Sequence, residues 1–243
     1  MAKAKTTKTA EPLIQTDKLT KVYRSGEIEV NALRQVSLAI QPGEFTAVVG
    51  PSGSGKTSFL NLISGLDAPT SGRVLLKGQD LNRMSGSALS DFRRDHIGFI
   101  FQSYNLIPVL SARENIEYIM LLQGVPPAER ARRVAGILQE VGLQGFENRR
   151  PAQLSGGQQQ RVAVARAMVS QPDIILADEP TANLDSKTGE TLIDMMQDLN
   201  RKQGMTFIFS THDPHIMAHA SRLITLKDGR IEKDDVRRRP ARR

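Results

Sequence analysis

Residues 50–57 read Gly-Pro-Ser-Gly-Ser-Gly-Lys-Thr, a glycine-rich loop between two apolar segments. Residues 45–49 before it form an apolar run of strand length, and apolar residues recur at helical spacing in residues 57–64 after it. A strand that enters a helix through such a loop aims backbone N–H groups and the helix dipole at one anion. The loop therefore predicts a phosphate site and favours an α/β fold built on a strand–loop–helix unit.

Residues of this phosphate-binding loop are expected to contact a nucleotide. The lysine at position 56 would reach the β- and γ-phosphates, and the hydroxyl of residue 57 would hold Mg²⁺. The predicted nucleotide contacts in and directly after the loop are Gly50, Ser52, Gly53, Ser54, Gly55, Lys56, Thr57 and Ser58.

Two acidic residues end a second apolar segment, residues 173–179. Branched apolar runs of this kind suit a buried parallel strand, and ligands of open α/β sheets bind beyond the carboxyl ends of the strands. We expect Asp178 to hold Mg²⁺ and Glu179 to act as the catalytic base that polarises the attacking water.

A second phosphate-binding element is predicted at residues 154–158, Leu-Ser-Gly-Gly-Gln, which we call the signature segment. Ser155 is a good N-cap residue, and the exposed helix start that it opens can face phosphate. One phosphate-binding loop and one signature segment per chain are two half-sites, and they indicate that ATP is held between two copies.

In this order, the loop, the acids and the signature segment resemble the ATP-binding cassette (ABC) ATPases over residues 12–235. The resemblance implies a P-loop NTPase (RecA-like) α/β core with a mainly parallel sheet, an antiparallel β-subdomain and an inserted helical subdomain. It also implies ATP and Mg²⁺ as cofactors and a homodimer of ATPase subunits.

Further site residues follow from the resemblance rather than from spacing. Tyr23 would stack on adenine, and Gln102 would contact Mg²⁺ and sense the membrane partner. His212 would be the catalytic switch histidine on the γ-phosphate, and residues 183–185 would cross the dimer interface. In the signature segment, the residues that would meet the γ-phosphate of the opposite subunit are Ser155, Gly157 and Gln158.

Residues 177–185, Ala-Asp-Glu-Pro-Thr-Ala-Asn-Leu-Asp, are similar to the form typical of the lipoprotein-release, macrolide-export and FtsE group (LolD/MacB/FtsE), although Ala182 stands where that group usually has glycine. This resemblance implies a subunit at the cytoplasmic face of the inner membrane that powers a separate integral membrane protein. Two alternatives stay open: the ATPase of a solute importer, and a soluble ABC ATPase acting on nucleic acid or the ribosome.

The formal net charge of +7 lies at the chain ends. Eight of the 33 basic residues fall in residues 1–10 and 236–243, which hold no acid; the other 25 face 26 acids. Nucleic acid is therefore not an expected partner, and the two basic tails, predicted to be disordered, would serve solubility or contact anionic lipid headgroups. The chain has no cysteine, no apolar run near the roughly 20 residues of a membrane span, and a polar N-terminus unlike a secretory signal.

The predicted organisation is a tail (1–10), an ABC nucleotide-binding domain (11–235) with a helical subdomain at about 103–160, and an Arg-rich tail (236–243). The predicted elements are strands at 13–23, 31–40, 73–77, 97–101 and 206–210, helices at 111–123, 127–141 and from Ser155, and a hairpin at 223–232. Asp213 and Pro214 predict another helix start. His215 and His219 would share one face of that helix, a set too small for structural zinc.

Overall fold

The computed structural model describes residues 11–237. The strands in this range are β1 Ile14–Ser25, β2 Ile28–Ile40, β3 Phe45–Val49, β4 Ser71–Leu76, β5 Gln79–Asp80, β6 Ile97–Ile100, β7 Ile174–Asp178, β8 Thr206–Thr211, β9 Arg222–Lys227 and β10 Arg230–Val236. The helices are α1 Lys56–Ile63, α2 Gly86–His96, α3 Ala112–Leu122, α4 Pro127–Glu140, α5 Gly156–Met168, α6 Ser186–Gln203 and α7 Pro214–His219. Short 3₁₀ turns lie at Leu81–Arg83 and Pro151–Gln153.

Within the described residues, six strands form one sheet in the order β10-β9-β3-β8-β7-β6. All neighbouring pairs from β9 to β6 are parallel, and β10 alone pairs antiparallel, with β9. Parallel sheets are usually covered on both faces, and accordingly every residue of β3 is buried. The predicted mainly parallel sheet is confirmed.

A second, antiparallel sheet of the described chain has the order β2-β1-β4-β5. Its long strands β1 and β2 form a hairpin in which Tyr23 lies opposite Val30 and Ile14 lies opposite Ile40. Its core joins the large sheet, because Ile14 and Leu76 belong to the same buried cluster as Val48 of β3. The predicted antiparallel β-subdomain is therefore packed on one face of the parallel sheet.

The opposite face of the large sheet carries α3, α4, α5 and α6. Side chains of β3 alternate between the two faces, so Ala47 and Val49 join Ile116 of α3 and Val162 of α5 in a second buried cluster. The helices α3 and α4 lie between β6 and β7 in the chain, where the helical insertion is expected. The first of them begins with a capping box formed by Ser111 and Glu114.

The predicted tails extend past the described part of the chain. Residues 1–10 lie wholly outside it, as do residues 238–243. The predicted C-terminal boundary lies at residue 235, whereas β10 continues to Val236 and Arg237 donates hydrogen bonds to the carbonyls of Ser221 (2.8 Å) and Met217 (3.1 Å). These two residues are part of the folded chain.

Candidate active site

The phosphate-binding loop connects β3 to α1 and requires glycine at two points. Gly50 has φ 151°, and a Cβ there would lie 2.1 Å from the carbonyl oxygen of Leu226. Gly55 has φ 105°, and a Cβ there would lie 2.3 Å from the carbonyl oxygen of Ala32. Other backbone therefore presses on the loop from outside, and only glycine leaves room for its fold.

The polar groups of the loop fit a phosphate ligand. Among the described residues, the hydroxyl of Ser54 is buried in the loop and has no hydrogen-bond partner. The Lys56 ammonium donates to the carbonyl oxygens of Gly50 (2.9 Å) and Pro51 (3.2 Å), so its charge lies across the loop. A phosphate accepts hydrogen bonds, and an unpaired buried hydroxyl and an ammonium at a helix N-terminus are suitable donors.

The register of the large sheet places the other predicted groups along the edge that holds the loop. Val49 lies opposite Thr211, Asp178 opposite Ser210, and Ala177 opposite Ile100. The next residues therefore leave the sheet in strand order: the loop after β3, His212 after β8, Glu179 after β7, and Gln102 two residues after β6. This is the carboxyl edge of the parallel strands, where α/β folds bind ligands.

Two of the predicted metal ligands are in contact. The Thr57 hydroxyl lies 3.3 Å from Oδ1 of Asp178, although 121 residues separate them in the chain. Hydroxyl and carboxylate oxygens are the ligands that Mg²⁺ prefers, so this pair fits the ion. The side chain of Gln102 is exposed at the same edge.

The predicted base and the predicted switch histidine form a pair. Nδ1 of His212 lies 3.0 Å from Oε1 of Glu179, and the histidine side chain is 77% exposed while that of the glutamate is 17% exposed. Glu179 has φ 46°, a left-handed conformation that is uncommon for a residue with a side chain. Its backbone N–H is held by the carbonyl of Ser210 at 2.8 Å, so the turn that aims its carboxylate is anchored to β8.

The loop after Gln102 contacts the loop after Glu179. The Asn183 amide donates to the carbonyl oxygen of Gln102 at 2.8 Å, and the Tyr104 hydroxyl donates to the carbonyl oxygen of Asn183 at 3.4 Å. A Cβ at Gly156 would lie 3.0 Å from that hydroxyl. The residues after Gln102 thus connect the acids to the start of α5.

The signature segment forms the predicted helix start. Ser155 is the N-cap of α5: its hydroxyl accepts from the N–H of Gln158 (3.3 Å), and the Gln158 side chain accepts from the N–H of Ser155 (2.9 Å). A Cβ at Gly157 would lie 2.6 Å from Thr188 of α6, which explains the glycine. Ser155, Gly157 and Gln158 therefore share the first turn of one helix.

Tyr23 lies near the end of β1 and is 40% exposed. Its hairpin partner β2 packs against the phosphate-binding loop farther along the strand, because a Cβ at Gly55 would lie 2.3 Å from the carbonyl oxygen of Ala32. The predicted adenine-stacking residue and the loop therefore belong to neighbouring segments.

Sequence reasoning missed Thr181 and placed Asp213 only as a helix cap. The Thr181 hydroxyl donates to Oδ2 of Asp213 at 2.7 Å, while Oδ1 of Asp213 accepts from the N–H of His215 at 2.8 Å. This pair connects the segment after Glu179 to the segment after His212. The signal was available, because each residue lies one or two positions past a predicted catalytic residue.

The side chains of the two further histidines each pair with an acid of α6, and Nδ1 of His219 also lies 2.7 Å from the carbonyl oxygen of His215. His215 lies 3.1 Å from Glu190, and His219 lies 3.0 Å from Asp194. Within residues 11–237 no group of three or more His, Cys, Asp or Glu side chains could hold a metal ion. These two histidine–carboxylate pairs connect α7 to α6.

Comparison with known proteins shows which proteins this chain resembles. A family model described as ABC transporter matches residues 33–182. An uncharacterized ABC transporter ATP-binding protein of Thermotoga maritima is 47% identical over 212 residues, which cover 87% of this chain and 90% of that relative. The macrolide export ATP-binding/permease protein MacB of Hyphomonas neptunium is 46% identical over 92% of this chain, which spans 34% of that relative's length.

A solved structure has the same fold with bound products. It is the dimeric post-hydrolysis state of the ATP-binding cassette MJ0796 with ADP and Pi, and it superposes with a TM-score of 0.86 at 44% identity, over 93% of this chain and 99% of the other. MJ0796 is an uncharacterized ABC transporter ATP-binding protein of Methanocaldococcus jannaschii.

Fold and site together define an ATP-binding cassette of the P-loop type. The chain belongs to the ABC transporter family, and the predicted family and fold are confirmed. ATP is the nucleotide that this family binds. Across the described residues, 11–237, the helices are too short or too polar to cross a bilayer.

Proposed function

We propose that this chain hydrolyses ATP at a site shared by two copies and that the cycle drives a separate membrane protein. The observation that carries the proposal is the line of groups at the edge of the large sheet. The phosphate-binding loop, His212, Glu179 and Gln102 follow four neighbouring strands. A phosphate-binding group, a base, a polar orienting group and a metal-ligand pair meet there, as phosphoryl transfer to water requires.

Each residue has a role in this proposal. Backbone N–H groups of the loop and Lys56 would bind the phosphates, and Mg²⁺, held by Thr57, Asp178 and Gln102, would neutralise their charge. Glu179 would accept a proton from the attacking water, and His212, whose Nδ1 lies 3.0 Å from one oxygen of that carboxylate, would orient it. His212 would donate a hydrogen bond to the γ-phosphate and transmit its presence to α7.

The other half of the site would come from a second copy. The first turn of α5 has N–H groups of its own to offer a phosphate, and Ser155, Gly157 and Gln158 would place them on the γ-phosphate bound by the partner chain. The dimeric form of the MJ0796 cassette with ADP and Pi supports this arrangement. ATP would hold the two copies together, and hydrolysis would release them.

A groove beside Gln102 is where we place the membrane partner. It has a volume of about 430 Å³, and its lining combines apolar side chains with polar ones that include Asp91, Arg93 and Arg94. The apolar residues that line it are Leu66, Ile97, Phe99, Phe101, Ile119 and Leu122. Leu66 and Leu122 are each about half exposed, so their apolar surface in the groove is available to a partner.

The proposed partner is an integral membrane protein of the macrolide-export, lipoprotein-release or FtsX type, and the cassette would work at the cytoplasmic face of the inner membrane. The similarity to MacB proteins supports this group. Nucleic acid is not proposed as a partner, because 25 of the basic residues are matched by 26 acids outside the ends of the chain.

The groove and the partner can be tested together by pull-down from detergent-solubilised membranes. Leu122→Glu places a charge in the groove and should remove the bound membrane protein, while ATP turnover of the isolated chain is unchanged. Val236→Glu is the matched control, because Val236 is 80% exposed at the far edge strand and should retain the partner. A four-span partner with a large extracytoplasmic domain supports the proposal. A multi-span permease would indicate import, and ribosomes or DNA would contradict the membrane role.

A further inference from the structure

Lys21 and Tyr23 of β1 form a polar cluster with Asp67, which lies four residues after the end of α1. The Tyr23 hydroxyl donates to Oδ2 of Asp67 at 2.9 Å. The Lys21 ammonium donates to Oδ1 of Asp67 at 2.7 Å and lies 4.8 Å from the centre of the Tyr23 ring. Each of the three side chains therefore touches the other two.

Asp67 is itself fixed by the chain around it. Its backbone N–H donates to the carbonyl of Asn61 in α1 at 3.2 Å, and its Oδ1 also accepts from the N–H of Ala68 at 2.7 Å. Burial opposes ionisation of this carboxyl, but the hydrogen bonds from Lys21, Tyr23 and the Ala68 N–H, together with the charge of Lys21, lower its pKa below the ordinary value. The carboxylate that holds Tyr23 is thus charged and attached to the helix that begins at the phosphate-binding loop.

Lys21 restrains the ring in a second way. Its side chain is only 13% exposed, and its ammonium is held by Asp67 and by the carbonyl of Ala68 at 2.8 Å. A cation at this distance from an aromatic ring is attracted to the ring's electron-rich face. A hydroxyl bound at one end and a cation over the ring fix its orientation, whereas a free exposed tyrosine would change rotamers.

We propose that Lys21 and Asp67 are positioning residues that hold the Tyr23 ring as a ready-made platform for the adenine base. This inference rests on the proposed function, in which Tyr23 stacks on that base. A ring already held in place loses less conformational freedom when the base binds, so ATP binds more tightly. The cluster also attaches the platform to the far end of α1, the helix whose first turn faces the phosphates.

The test compares the binding of ATP, which carries the adenine base, with the binding of tripolyphosphate, which carries none. Mg-ATP and inorganic tripolyphosphate with Mg²⁺ are titrated by calorimetry into the full chain and into Tyr23→Ala, Tyr23→Phe, Asp67→Ala, Asp67→Asn and Lys21→Met variants. Asp67→Ala, Lys21→Met and Tyr23→Phe should each weaken ATP binding about 3- to 10-fold, the equivalent of one net hydrogen bond, with tripolyphosphate affinity unchanged. Asp67→Asn keeps an oxygen that accepts from the tyrosine, so it should recover part of the affinity and also guard against loss of folding in Asp67→Ala.

Two controls make the test specific. Tyr23→Phe combined with Asp67→Ala should bind ATP no more weakly than Asp67→Ala, because both remove the same contact. Glu29→Ala breaks the exposed Arg24–Glu29 ion pair (2.8 Å) of the same hairpin and should leave ATP binding unchanged.

The outcomes separate this inference from the proposed function. If Tyr23→Ala binds ATP like the parent, the stacking role of Tyr23 is wrong and the platform with it. If Tyr23→Ala weakens ATP binding but Asp67→Ala and Lys21→Met do not, only the positioning role is overturned. Equal losses for ATP and tripolyphosphate in Asp67→Ala would show that the cluster supports the fold rather than the base, which also overturns the inference.

Discussion

At the scale of single residues, the site depends on backbone that is held in uncommon conformations. Glu179 has a positive φ of 46°, which costs a residue with a side chain on the order of 1–3 kcal/mol. Hydrogen bonds compensate: its N–H is held by Ser210 and its carbonyl oxygen accepts from the N–H of Ala182 at 3.1 Å. Backbone conformation therefore fixes where the carboxylate points before any nucleotide arrives.

Glu179→Gln tests the proposed base. The amide keeps the size of the side chain but cannot accept the proton of water, so turnover should fall by about 10²–10⁴-fold. ATP affinity should stay close to that of the parent, because the phosphate-binding loop is untouched. Steady-state phosphate release and nucleotide titration measure the two effects.

Glu190→Gln is the matched control for that substitution. Glu190 pairs with His215 on α7 and takes no part in the proposed site, so its loss should leave turnover unchanged. A Glu179→Gln protein that hydrolyses ATP at the parent's rate would show that another group accepts the proton.

The conformations of single residues were only partly readable from the sequence. The spacing of Gly50 and Gly55 before a helix predicts a loop around an anion, because only glycine accepts the backbone that is needed. The contact of Thr57 with Asp178 depends on how two distant strands align, and no local pattern reports that alignment. The Lys21–Asp67–Tyr23 cluster was not predicted for the same reason.

At the scale of elements, the position of α5 is set by a glycine of the neighbouring strand. A Cβ at Gly98 of β6 would lie 2.2 Å from the carbonyl oxygen of Ala167 and 2.5 Å from Cδ1 of Ile175. The helix that carries the signature segment thus rests directly on strand backbone. Close packing at this point holds the C-terminal end of α5 against β6 and β7.

Gly98→Ala should therefore destabilise the fold by about 1–3 kcal/mol, because the helix backbone or the isoleucine must move to make room. Urea denaturation followed by circular dichroism measures the change. Gly136→Ala is the matched control: Gly136 lies within α4, a Cβ there would meet nothing within 4 Å, and alanine should be neutral or stabilising by up to about 1 kcal/mol. Equal stability of Gly98→Ala and the parent would mean that α5 is not held by this contact.

Most elements were predictable because capping residues and apolar periodicity agree. Ser111, Ser155 and Asp213 each cap the helix that follows them. The helices α2 and α6 were not predicted. In α2 only Phe92 is buried, so its apolar pattern is too weak to indicate a helix. In α6 the buried residues recur at helical spacing from Leu192 to Leu199, so the sequence did contain the signal for this helix.

At the scale of the whole molecule, the order of strands in the sheet assembles the site. The residues that meet at its edge come from positions 50 to 212 of the chain, and they become neighbours because β3, β8, β7 and β6 lie side by side. The sequence predicts the strands and their parallel class, but long-range pairing decides their order. The motifs could therefore name the groups of the site without giving their arrangement.

A shared site makes a prediction that a single-chain site does not. In a dimer of two copies, each site would take its phosphate-binding loop from one chain and its signature segment from the other. Lys56→Ala removes the cation of the loop, and Ser155→Arg blocks the start of α5, so each variant alone should be inactive. When the two are mixed, one site of a mixed dimer carries both defects and the other carries none.

Mixing equal amounts of Lys56→Ala and Ser155→Arg should therefore restore ATP turnover, up to roughly a quarter of the parent's rate if dimers form at random and one intact site works alone. The matched control mixes Lys56→Ala with Glu179→Gln. Both of these defects lie on the loop side of the site, so every mixed dimer has two damaged sites and should stay inactive.

Light scattering should also show that saturating Mg-ATP converts the Glu179→Gln protein from monomer to dimer. An inactive first mixture, together with a Glu179→Gln protein that stays monomeric in Mg-ATP, would mean that each chain binds ATP without a partner.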